Sequence, residues 1–77
     1  MNKVKKIEKL KRFRRIVRDY TALEIDGIEV DIFDAAAVLS AHGCLSKEDQ
    51  DRFLDEPARV MIWKAWNLLG KERGWKR

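Results

Sequence analysis

The residues that could do chemistry are few. The chain has one histidine, His42, and one cysteine, Cys44, two positions further on. An imidazole beside a thiol suggests a base-and-nucleophile pair or the start of a zinc site. A structural zinc takes four ligands, and no second His/Cys cluster exists to complete the set. The pair reads instead as a polar cap at a helix end and a small buried thiol. Nearly all of the 13 carboxylates sit at predicted helix starts or on a turn. Capping and the helix dipole account for them there. Gly27, Gly43, Gly70 and Gly74 are too far apart for a phosphate-cradling loop. The sequence thus predicts no enzyme, no metal and no cofactor.

What remains is binding, and three features could carry it. The first is a basic helix face with Arg12, Arg15 and Arg18. It lacks a recognised DNA-binding motif, and few Asn or Gln residues accompany the arginines to read bases. Being amphipathic and basic, that helix could also lie on an anionic membrane. The second is Trp63 with its neighbour Lys64, together with Trp75 in the basic tail. An exposed tryptophan is a good anchor for a partner, but a domain this small needs its large side chains inside. Trp63 is therefore expected to be buried, and Trp75 to be surface-accessible. The third is a hairpin whose free edges could pair between copies.

These features need elements to hold them. Residues 3–19 read as a helix, with Leu10, Phe13, Val17 and Tyr20 on one face, flanked by Ile7 and Ile16. Lys11, Arg12, Arg14, Arg15 and Arg18 lie toward the other side. Residues 1–9, with Lys3, Lys5, Lys6 and Lys9, are basic nearly all round. They are expected to fray or to be ordered only by a partner. Leu23-Glu24-Ile25 and Ile28-Glu29-Val30 alternate around Asp26-Gly27, a two-residue turn signal for a β-hairpin. That turn sets Ile25 opposite Ile28 and Leu23 opposite Val30. It also sets Glu24 opposite Glu29, which is unfavourable unless a cation from the basic helix sits between them.

A second helix is predicted over 32–41. Asp31 caps it, Gly43 stops it, and its apolar run from Phe33 to Leu39 makes it the buried centre. Ser46, with Asp49 three residues on, starts a third helix anchored by Phe53 and Leu54. Pro57 opens a fourth, striped by Ala58, Met61, Ile62, Ala65, Trp66, Leu68 and Leu69. Val60 and Trp63 fall off that stripe. Residues 71–77 read as a basic tail. The fold class expected is α+β and mostly α, a single small domain with a helix, a β-hairpin and three further helices.

Composition bounds the rest. A chain of 77 residues, 45% hydrophobic and 39% charged, can build one small core. One cysteine rules out an intrachain disulfide, which favours a reducing, cytoplasmic setting. No apolar run approaches the length of a bilayer span, and the basic start lacks the apolar stretch of a secretory signal. The net charge of +4 is unevenly spread. Residues 1–20 carry +7, residues 21–56 carry −8 and residues 57–77 carry +5. Either the basic ends fold over the acidic middle, or they face a polyanion. The first reading is preferred, because block-wise charge is commonly internal or solvated.

Residues 23–69 resemble a loosely defined group of small phage and prophage proteins. The resemblance runs through Ile25-Asp26-Gly27-Ile28-Glu29-Val30-Asp31-Ile32-Phe33, Ala35 and Val38. It continues through Leu45-Ser46-Lys47-Glu48-Asp49-Gln50-Asp51-Arg52-Phe53 to an apolar helix around Met61, Ala65 and Leu69. It implies a hairpin followed by a helix and a capped helix. It also implies a mobile-element accessory protein that binds and inhibits or redirects a host or defence protein. The basic helix before Tyr20 and the C-terminal tryptophans depart from the group's pattern, so a role particular to this chain would lie there. Protein–protein contact is accordingly the leading expectation. Sequence-independent binding of DNA or RNA and structural homo-oligomerisation are the alternatives.

Overall fold

The Asp26-Gly27 pair does what its chemistry predicts. Both residues take positive φ, 51° and 83°. That geometry matches the twist of the two strands it joins. The computed structural model describes residues 3–72. In chain order it contains α1 (Lys3–Asp19), β1 (Leu23–Ile25), β2 (Ile28–Val30), α2 (Ile32–Cys44), α3 (Lys47–Asp55) and α4 (Ala58–Glu72). The strands pair antiparallel with Leu23 opposite Val30, Glu24 opposite Glu29 and Ile25 opposite Ile28. The class is mostly helical with one hairpin, in the order read from the sequence.

Side-chain caps fix two of the helix starts. The Asp31 carboxylate accepts the Asp34 amide at 2.9 Å, and Ser46 Oγ accepts the Asp49 amide at 3.3 Å. Helix α2 runs through Gly43 to Cys44, so Gly43 is not its stop. The Leu45 amide and the Gln50 side chain both donate to the His42 carbonyl, at 3.2 and 2.8 Å, and satisfy the helix end without a left-handed glycine. Helix α1 ends differently. Tyr20 takes φ 52°, and the Thr21 amide bonds back to the Ile16 carbonyl at 3.2 Å. This is the six-to-one bond of a Schellman cap, at a position that glycine usually fills. The cap turns the Tyr20 side chain outward. The residue is 84% exposed, and does not lie on the apolar face where helical spacing put it.

Helix α2 sits between α1 and α4, which both pack on it and hardly meet each other. Ala35, Ala37 and Ala41 let the backbones approach, and Phe13, Ile16, Ile25, Val30, Val38, Phe53, Leu54, Met61 and Leu69 complete the core. The expectation of an all-buried α2 needs one correction. Phe33, in its first turn, is 73% exposed, and Ala36 also faces solvent. A helix flanked on two sides still keeps an open strip.

The start of α1 is ordered by the domain itself. Lys9 lies at i−4 and i−7 from Phe13 and Ile16, on the buried face. Its residue is only 5% exposed. Its ammonium contacts Asp26 Oδ2 at 2.6 Å and donates to the carbonyls of Glu56 at 2.6 Å and Leu54 at 3.5 Å. The same Asp26 Oδ2 accepts the Ala58 amide at 2.8 Å and so caps α4 from the hairpin turn. Lys6 reaches Asp55 at 3.3 Å and Asp51 at 3.7 Å on α3. The basic start is therefore helical from Lys3 and docked on the domain through Lys6 and Lys9. Lys9's cation goes to the turn carboxylate and not between Glu24 and Glu29, which both remain exposed.

Candidate functional site

Charge sorting along α1 produces the first surface. The inward lysines, Lys6 and Lys9, meet the acidic middle of the chain. The outward cations do not. Lys11, Arg12, Arg14, Arg15 and Arg18 are all exposed, and with Glu8 they line a groove of about 570 Å³. The structure thus brings Arg12, Arg15 and Arg18 together on one face. Arg15 and Arg18 contact Asp19 at 3.5 and 3.0 Å. The Arg18 hydrogen bond holds the Asp19 carboxyl below its ordinary range. Among the described residues, no carboxylate lies within ion-pair distance of Lys11, Arg12 or Arg14. The reading in which the basic start folds over the acidic middle holds for the inner side of this helix, and the cations of its outer side face solvent.

The second surface is on α4. Trp63 is 66% exposed, which overturns the expectation that it would be buried. The physical reason is angular. Met61, Ala65 and Leu69 point at α2, and Trp63 lies off that stripe. With Arg59 and Val60 it lines a shallow cleft of about 220 Å³. Its carbonyl accepts Asn67 Nδ2 at 2.8 Å. Trp66 turns inward instead, and its Nε1 donates to Asp34 Oδ1 at 3.0 Å, joining α4 to the start of α2. Lys64 pairs with Glu56 at 3.1 Å. Trp75 lies outside the described residues. The two sets of candidates stay apart, because α1 and α4 occupy different sides of α2.

Sequence reasoning missed a third feature. Ala41, Leu45, Phe53 and Leu68 floor a groove of about 390 Å³ rimmed by Asp49, Arg52, Glu56 and Lys64. It arises where α2, α3 and α4 converge, so no periodicity within one element could reveal it.

The chemistry-bearing pair is separated by environment. Cys44 is exposed and not the buried thiol expected, because α2 carries it past the helix contact zone. His42 is half-buried, and burial, then the nearby Arg14 charge, lowers its pKa below the ordinary value. At the hairpin turn the balance runs the other way. Burial pushes the Asp26 carboxyl up. Hydrogen bonds from Lys9 and the Ala58 amide, with the Lys9 and Arg12 charges, outweigh it and hold the carboxyl below its usual range. Among the described residues, no group of three His, Cys, Asp or Glu side chains could hold a metal, and no helix is long and apolar enough to cross a membrane. No protein-family model matches the chain, and neither a curated protein nor a solved structure shows significant similarity to it.

Proposed function

We propose that this domain works without catalysis, by holding a partner protein against the outer face of α4. The observation that carries the reading is Trp63, a large aromatic presented to solvent by a helix that is otherwise anchored in the core. Tryptophan is the residue most enriched among binding hot spots, and a rigid helix loses little entropy in presenting it. Arg59 and Val60 line the cleft beside it, so the partner surface that fits is apolar at its centre and carries an acidic group toward Arg59. The resemblance to small phage proteins gives the reading a setting, an accessory protein in the cytoplasm that inhibits or redirects a host or defence protein.

The test is capture from nuclease-treated host lysate by tagged wild type and by Trp63→Ala. One dominant protein is expected with wild type. It should be lost with the variant, by at least about 30-fold in affinity for a hot spot of ~2 kcal/mol. The melting temperature should hardly move, since exposed substitutions stay within about 0.5 kcal/mol. Equal capture by Trp63→Ala sinks the assignment to α4. Loss of capture on nuclease treatment sinks the protein-partner reading itself.

A further inference from the structure

The outer face of α1 is a separate surface, and its chemistry points to a different ligand. Five cations stand on the turns from Lys11 to Arg18, and four of them are arginines. The guanidinium fork suits phosphate oxygens. Only Glu8 and Asp19 oppose them on the helix, at the two ends of the basic run, and Asp19 is already engaged by Arg15 and Arg18. The acidic residues of the chain's middle meet α1 on its inner side, through Lys6 and Lys9. Of the outer cations only Arg12 feels one of these acids, Asp26, so most of the outer field is left unneutralised.

A bilayer does not fit this face. An interfacial helix buries its apolar stripe in the headgroup region, whereas the centre of the stripe of α1, Phe13 and Ile16, is buried in the domain, with Leu10 and Val17 packed against the same core. Directly after the C-terminal end of α1 stands Tyr20, 84% exposed and held at a positive φ. A charged track ending in an exposed aromatic is the arrangement that binds single-stranded nucleic acid. There, cations follow the backbone and a ring stacks on a base. We infer that α1 binds single-stranded DNA or RNA without sequence preference. Lys11, Arg12, Arg14, Arg15 and Arg18 would contact phosphates, with Tyr20 as the stacking plane.

The experiment is fluorescence anisotropy with a labelled 20-nucleotide mixed-sequence DNA strand, repeated with its RNA counterpart, its duplex and anionic vesicles of equal phosphatidylglycerol and phosphatidylcholine. For five phosphate contacts the logarithmic salt slope on a single strand is about −3.5, so affinity falls roughly 100-fold from 50 to 200 mM salt. In Lys11→Ala/Arg15→Ala/Arg18→Ala two contacts remain, and the fall over the same range is about sevenfold. Tyr20→Gly should weaken strand binding about tenfold. Glycine relieves the positive φ, so unfolding cannot explain that loss. Trp63→Ala should bind the strand like wild type, which separates this site from the one on α4.

Salt-independent binding, or wild-type affinity in the triple variant, overturns the proposal. So does preference for vesicles, or equally strong competition by polyglutamate of matched length. Equal affinity for strand and duplex, with no loss in Tyr20→Gly, removes the single-strand assignment.

Discussion

Replacing either partner of the Lys9–Asp26 pair should destabilise the domain, but unequally. The two groups sit 2.6 Å apart in different surroundings, the Lys9 side chain 5% exposed and the Asp26 side chain 37% exposed. In Asp26→Asn the side-chain oxygen can still accept the Ala58 amide, and asparagine tolerates positive φ. Only the negative charge is lost. That strands an ammonium out of reach of water, with the Glu56 and Leu54 carbonyls as its remaining acceptors. Removing one partner of a buried pair costs about 3–5 kcal/mol. With two carbonyls retained, about 2–3 kcal/mol is expected here. In Lys9→Met the stranded group is a carboxylate that reaches solvent, and the methionine fills the apolar stem's space. The cost should be about 1 kcal/mol, mostly the unpaired Glu56 carbonyl. Urea unfolding of both variants followed by circular dichroism at pH 7 measures the difference. In a domain this small each kcal/mol moves the melting temperature by about 4–8 °C. The argument also carries a pH sign. The Asp26 carboxyl is lowered in the folded state, so its contribution is present above the ordinary aspartate value of about 3.9 and is lost as pH falls below it. Wild type should weaken there, and Asp26→Asn should lack that part of the acid transition. A Lys9→Met variant less stable than Asp26→Asn would refute the reasoning, since solvent access would then not decide the cost.

Two further outcomes are expected. Tyr20→Gly should raise stability by about 0.5–1 kcal/mol in urea unfolding, because a left-handed position costs a residue with a Cβ about 1–2 kcal/mol and glycine returns part of that as chain entropy; a loss instead would mean that the tyrosine ring packs usefully. His42 is lowered by burial and by Arg14, so the folded state favours neutral imidazole. Its contribution is present above the ordinary histidine value of about 6.5 and fades as pH falls below it. The urea midpoint should drop between pH 7 and pH 5.5, and His42→Gln should flatten that drop.

The local parts of the fold were legible because local chemistry decides them. Asp26-Gly27 sets the turn and hence every strand partner, and Asp31 and Ser46 cap the helices they precede. Lys9 was not legible. In a run of lysines it looks like one more solvated charge, although it shares the spacing of Phe13 and Ile16. What draws it inward is a carboxylate 17 residues away and two carbonyls at the α3–α4 junction, none of which a helical wheel contains. Gly43 misled in the opposite sense, since Gln50 and Leu45 satisfy the carbonyl that a glycine cap would otherwise serve. Of the candidate site, the grouping of Arg12, Arg15 and Arg18 followed from periodicity. The exposure of Trp63 turned on which side of α4 meets α2, and the groove floored by Ala41, Leu45, Phe53 and Leu68 on the meeting of three elements.

The Lys9 ammonium joins carbonyls 45 and 47 residues along the chain. Closing a loop of that length costs on the order of 3 kcal/mol in chain entropy, more than one ion pair returns. The contact can form only together with the packing of Phe13 and Ile16, and once formed it cannot open alone. Unwinding the first turns of α1 would withdraw the cation from the carboxylate that also holds the start of α4. Helices α1 and α4 are thereby made to unfold in one cooperative step, and α1 acts as the latch of the core.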